Sequence, residues 1–301
     1  MITVCGEGLV DLIPTYSNPL APYEPALGGG PYNVALAASR LEAEVSFVSR
    51  LSTDAFGQAM VDQLRSEGVD TRFVQRGPEP TTLAVTSIGP DGSAAYNFYM
   101  DGTADRFVNP AEFGDQIGGD IAYFGTCSLA LEPGASAYAE LLHQLSARGT
   151  LIALDPNIRP FYETSKHRAF IKGLLDEVTL LKLSQEEFEF LGGARAPITV
   201  ITRGSQGLML LKGNTQIDVP SVKVDVVDTI GAGDTIMASL LAEISRRARM
   251  KGMTAEQCAQ ILNKDEWEQI LKFAATAAAI TVSRRGAQTP SRFEVTAFGQ
   301  N

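Results

Sequence analysis

The sequence predicts an α/β fold in which helices cover both faces of a mostly parallel sheet. Two observations predict it: short apolar runs alternate with longer helical patterns, and 45% of the 301 residues are hydrophobic. The chain is long enough for one large hydrophobic core or two modest ones. It shows no internal repeat, low-complexity tract or clear interdomain linker.

Each predicted element follows from a local pattern. Short apolar runs predict buried strands at 2–6, 44–49, 120–125, 150–155, 178–183 and 196–202. Apolar residues at helical spacing predict helices at 31–43, 55–67, 134–148, 166–177, 184–191, 233–250 and 264–282. Strands and helices therefore alternate, which is typical of a parallel sheet.

Two segments interrupt this alternation. Residues 12–27 contain four prolines and cannot form a regular helix. Residues 81–100 predict two strands around a "GPDG" turn at 89–92. Together they predict a small β-flap over the strand ends, where ligands bind in open α/β folds. The alternative is a pair of edge hairpins with no role in binding.

Composition disfavours several classes of protein. A formal net charge of −10 repels nucleic acid, so we expect no nucleic-acid partner. The start of the chain lacks a basic leader, and no apolar window is long enough for a membrane span, so we expect a cytoplasmic protein with no membrane partner. Cys5, Cys127 and Cys258 are too few and too scattered for a disulfide framework or a CxxC metal site.

The histidine content limits the chemistry. Only His143 and His167 occur, and both lie in segments that favour surface or packing roles. A Ser-His-Asp triad is therefore disfavoured, and the sequence favours chemistry by carboxylates and backbone donors.

The first glycine motif is "GGGPYNVALAASRL" at 28–41. Its glycines allow a close approach of the backbone, and Pro31 suits a first helical turn. Asn33 falls in that turn beside exposed N–H groups. The motif predicts contact with a polar ligand; the alternative is a flexible turn followed by an ordinary helix start.

The second motif is "IGAGD" at 230–234, directly before a helical pattern. Converging N–H groups and the helix dipole make such a turn an anion site. A carboxylate beside it suits phosphoryl transfer, because it can accept the proton of a hydroxyl. The alternative, Asp234 as a plain helix cap, leaves Gly231 and Gly233 unexplained. GxxxxGK[ST] is absent, and "CGEGLVD" contains only half of the dinucleotide fingerprint GxGxxG.

On these two motifs the chain resembles the ribokinase-like carbohydrate kinases, the PfkB group. The resemblance implies a ribokinase-like three-layer sandwich with a mostly parallel central sheet and a small β-sheet lid. It implies a large domain of residues 1–11, 28–80 and 105–301, with the lid at 12–27 and 81–104. It also implies phosphorylation of a primary hydroxyl by ATP and Mg²⁺.

The same resemblance assigns roles to residues. It implies Asp234 as the general base, and an anion hole formed by Gly231, Ala232 and Gly233. The implied sugar contacts are Asp11, Gly29, Gly30 and Asn33. "TRGSQG" at 202–207 resembles the nucleotide-lining segment, which implies Thr202, Gly204 and Gly207 as ATP contacts; the alternative is an ordinary hairpin turn.

Two ion sites are also implied. "LSQEEFEFL" resembles the family's N-x-x-E element near Mg²⁺, with Ser184 in place of asparagine. Glu187 is then expected to orient metal-bound water; the alternative is a surface helix residue. Many family members bind a monovalent cation such as K⁺ through carbonyl oxygens, for which Asp228, Ile230 and the loop at 283–288 are the candidates.

The lid segments bear on the substrate. They contain no lysine or arginine, which favours a neutral sugar over a sugar phosphate. "YNFYMDGTADR" at 96–106 resembles bacterial fructokinases, and Tyr96 and Phe98 share one strand face that can close over the sugar or pack the lid itself. The D-x-N-x-R pattern ending at Arg159 also resembles 2-keto-3-deoxygluconate kinases. D-fructose is the first choice and the keto acid the second.

Two other classes remain open: a non-catalytic sugar or nucleotide sensor on the same fold, and a Rossmann oxidoreductase. The aspartate of the GAGD turn argues against a sensor, because binding alone does not require it. We also expect a homodimer through the lid, since a small sheet has unpaired edges and a face to cover.

Overall fold

Two sheets organise the described chain. The computed structural model describes residues 1–16, 18, 20–88 and 94–299. Its strands are β1 (Ile2–Cys5), β2 (Leu9–Pro14), β3 (Tyr23–Gly28), β4 (Val45–Ser52), β5 (Val74–Gly77), β6 (Thr82–Ile88), β7 (Ala94–Tyr99), β8 (Ile121–Gly125), β9 (Leu151–Asp155), β10 (Leu180–Ser184), β11 (Ile198–Thr202), β12 (Leu208–Lys212) and β13 (Thr215–Val219).

The large sheet has nine strands in the order β13-β12-β11-β10-β9-β8-β1-β4-β5. It is parallel except at β12, which runs antiparallel to both β11 and β13. The parallel strands alternate with helices along the chain, as the sequence predicts. Their carboxyl ends therefore meet at one edge of the sheet, where ligands bind in open α/β folds.

Helices cover both faces of this sheet. They are α1 (Gly30–Arg40), α2 (Ala55–Ser66), α3 (Gly134–Ala147), α4 (Ser165–Leu174), α5 (Gln185–Phe190), α6 (Ala232–Lys251), α7 (Ala255–Ile261), α8 (Lys264–Val282) and α9 (Arg292–Phe298). Side chains of α1, α2, α6, α7 and α8 pack with one face of the sheet, and those of α3, α4 and α5 with the other. The predicted three-layer α/β fold is confirmed.

The small sheet has the order β3-β2-β6-β7. β2 pairs antiparallel with β3 and parallel with β6, and β6 pairs antiparallel with β7. It begins at Leu9, before the predicted lid segment at 12–27. The predicted "GPDG" turn at 89–92 lies outside the described residues, and the division of the chain into domains stays a prediction.

Some elements differ from the sequence prediction. The helix predicted to reach residue 43 ends at Arg40, because Glu42 adopts φ +65° and closes a Schellman-type turn. In that turn the N–H groups of Glu42 and Ala43 donate to the carbonyls of Ser39 and Ala38. β5, β12, β13, α7 and α9 were not predicted. Each spans seven residues or fewer, which leaves little periodicity to detect.

None of the helices in the described ranges has both the length and the apolar character needed to cross a membrane.

Candidate active site

Asp234 lies in the first turn of α6, where the backbone N–H groups have no partner within the helix. The residue before the helix, Gly231, adopts φ +77° and makes no side-chain cap. A Cβ there would also lie 2.7 Å from the Cβ of Ala287. Glycine is therefore required at 231 by both the left-handed backbone and the close approach of the 283–288 loop.

The carboxylate of Asp234 is buried and held from the opposite side. Its side chain is 8% exposed, and Nδ2 of Asn33 in α1 donates a hydrogen bond to Oδ2 at 2.8 Å. Burial raises the pKa of Asp234 to about 6, against the opposing effects of Asn33, Lys182 and Arg159. Asp234 is thus mostly ionised at neutral pH and is a stronger proton acceptor than an exposed aspartate.

The first turn of α1 packs tightly against this carboxylate. A Cβ on Gly29, which adopts φ +108°, would lie 2.9 Å from the carbonyl oxygen of Glu7. A Cβ on Gly30 would collide with Thr126 and lie 3.5 Å from Oδ1 of Asp234. The structure therefore brings Gly29, Gly30 and Asn33 together beside Asp234, as expected for one binding site.

A second group of polar side chains faces the cleft from the small sheet. Burial raises the pKa of Asp11 in β2 to about 6, and the nearby guanidinium of Arg159 opposes this. Burial also raises the pKa of Tyr96 in β7, and Asp11 and Asp228 raise it further. Tyr96 therefore lies within electrostatic reach of Asp11, Asp228 and Arg159, and Asp11 lies within reach of Arg159.

Phe98 lies on the same face of β7 as Tyr96 and packs against the loop after β9. The two rings are stacked 6.3 Å apart, and the ring of Phe98 lies 4.9 Å from that of Phe161. Phe161 follows Arg159 in the loop after β9. The lid strand thus contacts the loop that carries Arg159.

Glu187 belongs to a capping box as well as to the site. Its Oε2 accepts from the N–H of Ser184 at 2.6 Å, and the hydroxyl of Ser184 accepts from the N–H of Glu187. Its Oε1 accepts from the N–H of Ile158 at 2.5 Å. Glu187 therefore joins α5 to the loop after β9, across a cavity of about 260 Å³ that Arg159 also lines. Contact of Glu187 with a metal-bound water stays a prediction.

The loop before α6 is fixed by Asp228. Its Oδ1 accepts from the N–H of Ile230 at 3.0 Å, and its Oδ2 accepts from the N–H of Gly286 at 2.9 Å. The loops proposed to hold a monovalent cation are therefore joined directly. Carbonyl ligation by Asp228 and Ile230 stays a prediction.

The predicted nucleotide segment connects β11 to β12. Thr202 ends β11 beside Ser184 of β10, and Gly204 and Gly207 adopt φ +53° and +90° in the connection. The segment is thus a hairpin turn at the ligand-binding edge of the sheet, and ATP contact by Thr202, Gly204 and Gly207 stays a prediction.

Sequence analysis missed one charged pair in this site. Nζ of Lys182 in β10 lies 2.9 Å from Oδ2 of Asp155, at the end of β9, and both side chains are almost fully buried. Lys182 stands alone within an apolar strand, "LLKLS". A lysine inside a predicted buried strand could have indicated a buried ion pair, because a buried charge requires a partner.

No group of three or more His, Cys, Asp or Glu side chains in the described chain is arranged to hold a metal ion.

The chain is similar to known kinases over nearly its whole length. A sequence model of the pfkB family carbohydrate kinases matches residues 1–293. A fructokinase of Rhizobium leguminosarum bv. trifolii is 34% identical over 265 residues, which covers 81% of this chain and 79% of that protein. The structure of the Xylella fastidiosa fructokinase with bound ATP has a TM-score of 0.86 at 26% identity, covering 99% of this chain and 98% of that one. The Vibrio cholerae O395 fructokinase, solved with fructose, ADP and calcium ion, has a TM-score of 0.83 at 26% identity, covering 99% and 98%.

Proposed function

The chain belongs to the pfkB family of carbohydrate kinases, and from this membership we propose that it transfers the γ-phosphoryl group of ATP to a primary hydroxyl of a neutral sugar, with D-fructose as the preferred acceptor. Relatives named fructokinase support the acceptor, and relatives solved with ATP or ADP support the donor.

The observation that carries the proposal is the buried carboxylate of Asp234, held by Asn33 at the open start of α6. In the proposed step, Asp234 takes the proton of the sugar hydroxyl while that oxygen forms a bond to the γ-phosphorus. The bond from the γ-phosphorus to the bridging oxygen breaks, and ADP leaves with that electron pair. The N–H groups of Gly231, Ala232 and Gly233 stabilise the charge of the moving phosphoryl group.

Charge near the sugar site favours a neutral acceptor. Arg159 lies close enough to Asp11 to affect its pKa, so the guanidinium already has an anionic neighbour. An acidic substrate placed on Arg159 would also meet the carboxylate of Asp11. In our proposal Asp11, Gly29, Gly30 and Asn33 contact the hydroxyls of the sugar, with Tyr96 and Phe98 closing above it.

The second candidate is a 2-keto-3-deoxygluconate kinase. It is favoured by Arg159, an exposed guanidinium at the mouth of the cleft that suits a carboxylate. The chemistry at Asp234 is the same in both candidates, and only the contact at Arg159 differs.

The residues present fit a hydrated divalent ion, for which we propose Mg²⁺. Each carboxylate oxygen of Glu187 accepts one backbone N–H and retains a lone pair for a metal-bound water. When bound, the ion neutralises charge on the β- and γ-phosphates. For the nucleotide we propose contacts with Thr202, Gly204 and Gly207, and for K⁺ the carbonyls of Asp228 and Ile230.

A coupled ADP-release assay with MgATP tests the proposal. The acceptors are fructose, 2-keto-3-deoxygluconate, ribose, glucose, fructose 6-phosphate and adenosine. Asp234→Asn is run beside Asp62→Asn, an exposed carboxylate on α2. We expect turnover of fructose, lost by about 10²- to 10⁴-fold in Asp234→Asn and retained in Asp62→Asn.

Other outcomes point elsewhere. Turnover mainly of the keto acid would replace fructose by the second candidate. Sugar binding without turnover of any acceptor would instead support a sensor, and the kinase proposal would be wrong.

A further inference from the structure

One buried cation in the site has no part in the mechanism above. Lys182 is 5% exposed in the middle of β10, and its ammonium pairs with Asp155 at 2.9 Å. Burial of a lysine costs free energy even when it is paired. A purely structural role requires only that Lys182 neutralise Asp155. The position of the ammonium relative to the rest of the site therefore distinguishes a structural role from a functional one.

The ammonium lies beneath the glycine turn at the start of α6. A Cβ added to Gly233 would lie 3.4 Å from Nζ of Lys182. The ammonium therefore lies close to the turn, separated from Gly233 by about the space that one added methyl group would fill. Gly233 keeps the space between the ammonium and the turn open.

Three carboxylates surround this ammonium. Burial alone would lower the pKa of Lys182, but Asp155, Glu187 and Asp234 together raise it, so the side chain stays charged. Without this cation, a polyphosphate would approach three anionic side chains. An ammonium has three N–H donors, and within the described residues Asp155 is the one ion-pair partner within 4 Å. Donors therefore remain for an anion.

We propose that Lys182 is a further catalytic residue, whose ammonium contacts an oxygen of the γ-phosphoryl group during transfer and completes the anion hole at 231–233. The inference rests on the proposed function. Lys182 gives up no proton: the hydroxyl proton goes to Asp234, and the ammonium keeps its ion pair with Asp155 while one of its N–H groups donates to the phosphoryl oxygen. Preorganised charge of this kind acts mainly on the transition state.

The competing explanation is that Lys182 only neutralises Asp155. Lys182→Met leaves a buried unpaired carboxylate and is expected to lower stability under both explanations. The double variant Lys182→Met/Asp155→Asn removes both charges, so it is expected to recover the unfolding temperature. Only the catalytic role predicts that its turnover stays low.

The experiment measures kcat with fructose and MgATP, thermal unfolding, and calorimetric affinity for ADP with and without aluminium fluoride in the presence of fructose. For Lys182→Met we expect kcat to fall by about 10²- to 10³-fold. Affinity for ADP alone should change by less than about threefold, since it lacks the transferred group, whereas affinity for the ADP–aluminium fluoride complex should fall as far as kcat.

Lys212→Met is the matched control. Lys212 is a partly buried lysine in β12 of the same sheet, but it donates to carbonyls at the end of α7 and lies opposite Ile198, at the amino end of β11. Its loss should lower stability and leave kcat within about twofold, because it removes hydrogen bonds far from the site.

Three results would overturn the inference. The first is a kcat for Lys182→Met within threefold of that of the unsubstituted protein. The second is recovery of both stability and turnover in the double variant. Absence of turnover by the unsubstituted protein would overturn the proposed function and this inference with it. If the unsubstituted protein does turn over fructose, either of the first two results would overturn the inference about Lys182 alone.

Discussion

The carboxyl of Asp234 links the stability of the protein to its chemistry. Burial raises its pKa to about 6, so the folded protein binds this proton more tightly than the unfolded chain does. Its contribution to the free energy of unfolding is therefore fully present below about pH 4 and is lost as pH rises through about 6. In our proposal the active form of the base is the ionised form, which burial disfavours.

This predicts two pH effects. The kcat/KM for fructose should rise with pH through about 6 and then level off, because the base must be ionised. Asp234→Asn should raise the unfolding temperature at pH 8 by a few degrees and weaken its dependence on pH. Asp11 has a similar pKa, so its ionisation also contributes to the rise of kcat/KM with pH. Calorimetric scans of Asp234→Asn and the unsubstituted protein from pH 5 to 8 therefore isolate the effect of Asp234 on the unfolding temperature. Identical scans for the variant and the unsubstituted protein would contradict this account.

A substitution at Arg159 distinguishes fructose from 2-keto-3-deoxygluconate as the acceptor. With fructose as the substrate, Arg159→Gln should lower kcat/KM by less than about tenfold, because no charged contact to the sugar is lost. It should also move the acid limb to higher pH, since the guanidinium holds down the pKa of Asp11. Steady-state kinetics across pH check both effects. A loss of about 100-fold or more would favour an acidic substrate, for which a charge-assisted contact disappears.

At the scale of elements, α6 offers an internal comparison. Both ends have glycine in the left-handed region, Gly231 before the helix and Gly252 after it. Alanine at 231 would meet Ala287, whereas nothing lies within 4 Å of a Cβ at 252. Glycine at 231 is therefore required by both a neighbouring loop and the backbone conformation, whereas glycine at 252 is favoured by the backbone conformation alone.

We expect Gly252→Ala to cost about 1–2 kcal/mol of stability through backbone strain and to keep kcat within twofold. Gly231→Ala should displace the turn that presents the N–H groups, and kcat should fall at least 100-fold. Thermal unfolding and ADP release measured on both variants test the contrast. Equal values of kcat would show that the geometry of the turn does not limit turnover.

Long periodic elements and glycine motifs were predictable from the sequence, and the charged pair was not. The helix at 264–282 has the predicted bounds because its apolar stripe and cap are local. Asp155 and Lys182 come from different strands, and only the parallel pairing of β9 with β10 brings them together. The same holds for Glu187: its spacing marked it as a candidate, but its bond to Ile158 depends on tertiary structure.

At the scale of the whole molecule, the small sheet leaves apolar side chains exposed. Phe98 packs against the loop after β9, and Tyr96 shares its strand face, so the alternation of β7 puts Tyr99 on the other face of the small sheet. Tyr99 is 63% exposed, and Tyr16 and Leu20, between β2 and β3, are 56% and 91% exposed. Surfaces of this kind favour association.

We therefore predict a homodimer through the outer face of the small sheet. Light scattering at micromolar concentration should give twice the 32.2 kDa of one chain. Tyr99→Lys should shift the mass toward that of a monomer, because it places a charge in the apolar face. A monomeric mass for the unsubstituted protein would contradict the prediction.

The hydrogen bond between Asn33 and Asp234 joins residues 201 positions apart. During synthesis Gly29, Gly30 and Asn33 leave the ribosome long before α6 is made. Until α6 docks, a nascent chain has one half of the proposed cleft and lacks Asp234, the proposed general base. If Asp234 is the base as proposed, an incomplete chain cannot transfer a phosphoryl group, and activity after refolding should return only once α6 has docked.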